Sequence, residues 1–274
     1  MKNRLGKVYL VGAGPGAADL ITLRGARLLE KAEIVFHDAL VEPAMLELCP
    51  QAIKIAVGKR CGKLSTAQRF IEKRMIDAAK QHAIVVRLKG GDPMMFGRAD
   101  EELRALEEQG IDVEVVPGIT AGLAAAASLK QSLTLRGVSR SVAFVTLARA
   151  QGESSEVQLT ELPNADTLVY YMGRNDTIRI ASQLIDLGKT PSTPIAIIES
   201  ISTARERICH LTLEQMKLGQ ADTWLSSEAP ALLIVGDAMA LRASNPLNQS
   251  DVAFSKLNDG LEDIEILANR MRRA

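Results

Sequence analysis

Five short apolar runs in the first 116 residues decide most of what this chain can fold into. They are "KVYLV" (7–11), "EIVFH" (33–37), "AIKIAV" (52–57), "AIVVRL" (83–88) and "DVEVV" (112–116). They are apolar along most of their length and do not alternate with polar residues, which is what a sheet buried on both faces requires. Helical patterns separate them, at about Thr22–Lys31, in a short stretch before Ala52, and at about Thr66–Gln81 and Arg98–Gln109. Strand–helix alternation implies right-handed crossovers and a mostly parallel sheet, so the fold class is α/β.

The pattern changes after an alanine-rich helix near Thr120–Leu129. The stretch "QSLTLRGVSR" (131–140) is polar and aperiodic and reads as a linker. Strand patterns then follow at 141–147, 166–172, 194–200, 207–213 and 231–236, with one clear helix near Asp176–Leu187. More strands per helix predict a mixed sheet. The expected organisation is an N-terminal α/β domain (1–132), a C-terminal α/β domain (133–242), and a polar linker with a tail helix (243–274). In that tail Leu257, Leu261, Ile264, Leu267 and Met271 make one apolar stripe, suited to packing on its own domain or on a partner.

Composition narrows the function classes. The 274 residues are enough for two domains. Lys and Arg total 33 and Asp and Glu total 33, so net charge argues against a general nucleic-acid binder. No run approaches the roughly 18 apolar residues of a membrane span. The start, "MKNRLGKVYLVGAGPG", is unlike a signal peptide, because its apolar run leads straight into a glycine loop. The three cysteines are scattered, as in a reducing compartment, and a cytoplasmic protein is expected. The three histidines are scattered too, so no metal is expected.

The glycine loop "VGAGPGAADL" follows the first strand. Gly12, Gly14 and Ala17 fit the dinucleotide fingerprint, and Asp38 ends the second strand where a ribose-binding acid belongs. A dinucleotide-dependent oxidoreductase is therefore one reading, and a tight strand exit without a ligand is another. Against the first, that fingerprint needs a helix N-terminus aimed at the pyrophosphate. Here Pro15 to Asp19 prolong the loop, and the first good N-cap is Thr22.

The stretch "RLKGGDPMMFGRADEE" (87–102) does not read as ordinary core. Glycines without Cβ atoms let a bulky ligand approach the main chain. Pro93 stops the strand, and Met95 and Phe96 offer soft apolar surface. Taken with "VYLVGAGPGAADLITLRGARLLEKAEIVFHDALV", "VGKR", "EVVPGITA" and "LVYYMG", in this order and spacing, the chain resembles the uroporphyrinogen-III C-methyltransferases, which are S-adenosylmethionine-dependent tetrapyrrole methylases. The resemblance runs from about Lys7 to Leu241.

That resemblance implies two α/β domains of the tetrapyrrole methylase type, with the active site in the cleft between them, and a homodimer. It implies S-adenosylmethionine as methyl donor and S-adenosylhomocysteine as product. Pro15, Gly90, Gly91, Asp92, Met95, Thr120, Ala121 and Met172 would hold the donor. The substrate implied is a reduced tetrapyrrole with eight carboxylates, methylated at two ring carbons to give precorrin-2. Asp38 and Lys59 match residues proposed in the family as proton acceptor and donor, and Arg98 and Glu101 match a pair proposed to act on the substrate. An arginine is a poor base, so Arg98 reads better as a carboxylate clamp oriented by Glu101. Lys59, Arg60, Lys63, Arg87 and Lys89 read either as receivers of substrate carboxylates or as a solvated face.

The match is incomplete in the second half. Lys130-Gln131-Ser132 stand where the family has a glycine, a hydrophobe and a proline. Leu135 replaces a usual histidine, Leu147-Ala148 replace Gly-His, and a glycine is expected near Ile201. These departures leave room for a methylase of another tetrapyrrole or a non-catalytic cofactor-binding relative. No dehydrogenase/ferrochelatase module is recognisable, so the chain is not expected to complete sirohaem alone.

Overall fold

The computed structural model describes residues 5–57, 64–147, 163–226 and 229–241. Lys59, Arg60, Lys63, Ala148 and the tail helix expected near Phe254–Arg272 lie outside the described residues. The two sheets belong to one compact unit ending at Ala240.

The first sheet contains β1 (Lys7–Gly12), β2 (Ile34–His37), β3 (Ile53–Ala56), β4 (Ile84–Lys89) and β5 (Val113–Val116), in the order β3-β2-β4-β1-β5. Every pairing is parallel, as the sequence predicts. Strand alternation splits the apolar runs between two cores. Val8, Leu10, Phe36 and Val85 face Met75 of α2 (Leu64–Ala79) and Leu106 of α3 (Ala99–Glu107). Val11, Val35, Val86 and Leu88 face Leu29 of α1 (Leu23–Lys31) and Met45 of a 3-10 turn (Pro43–Leu48). Burial on both faces explains why these strands carry no polar alternation.

α1 begins where its cap dictates. The Thr22 Oγ1 accepts a hydrogen bond from Gly25 N at 3.1 Å, satisfying an otherwise unpaired first-turn donor. Thr22→Ala is expected to destabilise the fold by about 1 kcal/mol, read as a lower urea midpoint at unchanged slope.

The second sheet contains β6 (Val142–Thr146), β7 (Thr167–Tyr171), β8 (Pro194–Glu199), β9 (Arg207–Thr212) and β10 (Ala231–Val235), in the order β6-β7-β10-β8-β9. β6 and β7 are parallel and the other pairings antiparallel, giving the mixed sheet expected. One face packs on α5 (Thr177–Asp186), α6 (Leu213–Lys217) and α7 (Gln220–Trp224) through Ile180, Leu184, Met216 and Ala221. The other face packs on α4 (Ala121–Leu129), whose Ala124 and Ala125 join Val169, Ile198 and Ile234. The helix before the expected boundary at 132/133 thus covers the second sheet. The stretch 131–140 is irregular but pinned: Gln131 Nε2 donates to Ala240 O at 2.9 Å, and Ser139 Oγ donates to Leu133 O at 3.0 Å.

Candidate active site

Three loops leave the carboxyl ends of β1, β4 and β5, where open α/β sheets place their ligands. The loops are 13–17, 90–98 and 117–120, and they interlock through backbone. Ala13 N donates to Lys89 O at 2.7 Å, and Gly14 and Gly91 exchange N–H···O bonds of 3.1 and 2.7 Å. A Cβ on Gly12 would lie 2.6 Å from Gly118 Cα, so this crossing of loops requires a bare backbone. Asp92 ties the second loop together and to the third. Its Oδ1 accepts from Met94 N at 2.8 Å and its Oδ2 from Gly118 N at 2.9 Å. Both oxygens of Asp92 thus hold loop backbone, a role the sequence reading did not give it.

The dinucleotide alternative fails on this geometry. Gly14 is spent on Gly91, and a Cβ on Gly16 would lie 2.7 Å from Ile201 O. α1 starts only at Leu23, past a separate 3-10 turn at Ala18–Leu20, so the glycine loop does not run directly into a helix N-terminus as the fingerprint requires.

The second sheet closes over these loops at the end of β7. Tyr171 Oη lies 2.7 Å from Thr120 Oγ1 and accepts from Gly122 N at 2.8 Å. Its ring sits 5.0 Å from that of Phe96 and 5.9 Å from that of Phe144. Met172, next in the chain, is exposed, with φ +57°. From the loop after β8, Ser202 Oγ accepts from Ala17 N at 3.2 Å. Pro15, Gly90, Gly91, Asp92, Met95, Thr120 and Met172 are therefore on loops that meet at one junction, and Ala121 opens helix α4 beside it. Phe96, Arg98, Met172, Ser200 and Ser202 are non-glycine residues held at positive φ around it. Such strain persists where the surroundings over-determine it, and it clusters at functional sites. Tyr171 was not singled out from sequence, although its place before Met172 in "LVYYMG" made it available.

Gly90 differs from its neighbours. A Cβ there would meet only Leu40 Cβ, at an ordinary 3.6 Å. Its φ also lies outside the left-handed region, whereas Gly91 has φ +69°. Among the described residues only Leu40 comes within 4 Å of a Cβ built at Gly90, so the chain is packed less tightly there than at Gly12. Met95, in the same loop, is half-buried and offers a soft thioether surface.

The charged residues fall into two groups. Arg87 and Lys89 neither form a solvated face nor stand free for carboxylates: each is 3% exposed. The reason is Glu102, fully buried in the first turn of α3, which accepts from Arg87 Nε at 3.1 Å, Lys89 Nζ at 3.0 Å and Gln68 Nε2 at 3.5 Å. Arg87 Nη2 in turn donates to Asp38 Oδ1 at 2.5 Å. Burial and the adjacent Arg87 push the Lys89 pKa below its ordinary value, and Glu102 partly offsets them. Glu102 was missed as a partner, because the run Asp100-Glu101-Glu102 reads as an exposed helix start.

Arg98 and Glu101 form the second group. Arg98 donates through Nε and Nη2 to the two Glu101 oxygens at 2.7 and 2.6 Å. The pair is about half exposed and edges a groove with Gln68, Arg69, Glu72, Arg104 and Glu108. The Arg98 hydrogen bond holds the Glu101 carboxyl below its usual pKa. Among the described residues no hydrogen bond joins Asp38 to Arg98 or Glu101, and the two groups are linked through helix α3, which carries the adjacent Glu101 and Glu102, and through Gln68, which donates to Glu102 and lines the groove.

Comparison with known proteins defines the class. The profile of the tetrapyrrole (corrin/porphyrin) methylases matches residues 7–217. The chain belongs to this methyltransferase family. It is 43% identical over 245 residues to a uroporphyrinogen-III C-methyltransferase of Pseudomonas aeruginosa, spanning 89% of this chain and 99% of that protein. A siroheme synthase of Psychrobacter cryohalolentis is 42% identical over 241 residues, but the chain spans only 46% of it. Among solved structures, the uroporphyrin-III C-methyl transferase of Thermus thermophilus complexed with S-adenyl homocysteine superposes with a TM-score of 0.73 at 38% identity, covering 85% of this chain and 93% of that one.

Proposed function

We propose that this chain transfers methyl groups from S-adenosylmethionine to two ring carbons of uroporphyrinogen III, giving precorrin-2. The observation that carries the reading is the junction at which the loops after β1, β4 and β5 interlock and meet Tyr171 at the end of β7. Near full-length similarity to the Pseudomonas protein sets the substrate class, whereas the siroheme synthases are about twice as long.

S-adenosylmethionine supplies an electrophilic methyl group. In this reading Gly90, Gly91 and Asp92 hold the donor from one side, with Pro15 and Met95 walling its pocket. Thr120, Ala121 and Met172 close the other side. The macrocycle carbon is already electron-rich, so these residues act chiefly by alignment. Holding the reacting atoms in line can remove about 7–11 kcal/mol of barrier. Arg98, kept in place by Glu101, receives a substrate carboxylate, and Asp38 takes the proton that leaves the macrocycle after methylation. Lys59 serves as proton donor, as the resemblance implies, and the chain works as a homodimer.

An anaerobic assay with freshly generated uroporphyrinogen III and S-adenosylmethionine, read by product mass, tests this. A gain of two methyl groups is expected. No gain, with S-adenosylhomocysteine still binding, would mean that changes such as Leu135 and Leu147 have altered the substrate or ended catalysis.

A further inference from the structure

We infer that Arg87, itself anchored by Glu102, is the positioning residue that fixes the Asp38 carboxylate for proton removal. The inference rests on the methylation reading above and extends it to residues that do not touch substrate.

Asp38 is the exposed end of an otherwise buried chain of charges. Its side chain is 31% exposed, whereas Arg87 is 3% and Glu102 0% exposed. One oxygen, Oδ1, is fixed by Arg87, and Oδ2 has no protein partner among the described residues. Among the described residues this leaves one carboxylate oxygen pinned and the other unpartnered at the carboxyl end of β2, beside the loop that carries Gly90. Arg87 cannot swing away. Its Nε is held by Glu102, its Nη1 donates to Leu88 O at 3.1 Å, and its stem is part of β4. Glu102 is in turn fixed by Lys89 and Gln68. The guanidinium fork suits this task, because it can bond two carboxylates in different directions from one rigid plane, which an ammonium cannot.

The step served is simple to balance. The new carbon–carbon bond forms as the carbon–sulfur bond breaks, with its electron pair leaving on sulfur. The proton then leaves the methylated macrocycle, its bonding pair stays in the ring system, and Asp38 Oδ2 accepts the proton before passing it to water. A carboxylate that rotated freely would meet that proton in the right geometry only part of the time.

The test is a double-mutant cycle on kcat in the product-mass assay, with Arg87→Gln made in the wild-type and Asp38→Asn backgrounds. Asp38→Asn should lower kcat on the order of 10²-fold. Arg87→Gln alone should lower kcat by about 10- to 100-fold, with KM for S-adenosylmethionine changed less than about twofold. In the Asp38→Asn background, Arg87→Gln should change kcat by less than about twofold, because its target is gone. A full additional loss in that background, or normal kcat in either single variant, overturns the inference. Should Arg87→Gln fail to fold, Arg87→Lys, which keeps the buried charge but loses the fork, carries the same cycle. Wild-type turnover reads the methylation assignment separately, so a failed cycle with active wild-type protein indicts Arg87 alone. An inactive wild-type protein overturns both.

Discussion

Gly90→Ala is expected to weaken S-adenosylhomocysteine binding by about 10- to 100-fold while leaving the thermal midpoint of the free protein unchanged. The two halves of that result have separate causes. In the free protein the added Cβ meets only Leu40 Cβ at 3.6 Å, and the backbone conformation accepts an L-residue. In the complex the same methyl group occupies the approach of the ligand to the main chain. Forcing an extra carbon into a packed contact costs about 1–3 kcal/mol, which is the tenfold to hundredfold range stated. Gly12→Ala should do the opposite. Its Cβ would lie 2.6 Å from the Gly118 backbone, so the loops must separate and the free protein must lose stability. Calorimetric titration and thermal melts on both variants separate the cases. Unchanged affinity in Gly90→Ala would show that the donor does not approach this loop from the Gly90 side.

β1, β2 and β4 were legible because they are buried on two faces, which leaves a largely apolar run in the sequence, whereas the edge strand β3 is mostly exposed. The mixed second sheet was legible from the number of strands per helix. α6 and α7 were not, because five residues cannot display a 3.6-residue period. A local signal did exist for α6. Thr212 and Gln215 form a capping box, with Gln215 N donating to Thr212 Oγ1 at 3.2 Å. The loops meeting at Gly12, Gly90 and Gly118 were visible as glycines, but their different tasks were not. A glycine needed for packing, such as Gly12, looks the same in sequence as Gly90, where a Cβ would meet only an ordinary contact. Arg87 and Lys89 misled for a related reason. Charge in a strand reads as surface unless its partner is known, and Glu102 lies a loop and a helix start away. Asp92 stands out in the sequence as a candidate donor ligand, whereas in the structure its two oxygens hold the Met94 and Gly118 amides, a bond pattern that spacing does not reveal.

Glu102→Ala is expected to cost about 3–5 kcal/mol of stability, the penalty for leaving buried charge unpaired. Glu102 is fully buried and faces two cations that are each 3% exposed. Without it, Arg87 keeps Asp38, but Lys89 loses its only salt-bridge partner among the described residues. The adjacent Glu101→Ala serves as control. It removes an ion pair that is about half exposed, and such pairs are worth about 0–1 kcal/mol. The larger loss should also depend on pH, with a definite sign. Burial already holds the Lys89 pKa below the ordinary 10.5, and removing Glu102 lowers it further. Between that depressed value and 10.5 the unfolded chain binds the proton that the folded chain has released. Stability contributed by this group therefore rises with pH across the window. The deficit of Glu102→Ala relative to wild type should be greatest below the depressed pKa and shrink as pH climbs towards 10.5, because a neutral lysine no longer needs the carboxylate. Urea denaturation of wild type and variant at several pH values measures this directly. A deficit that stays flat with pH would assign the loss to packing around α3, and one below about 1 kcal/mol would mean that water reaches Lys89 and Arg87 once Glu102 is removed.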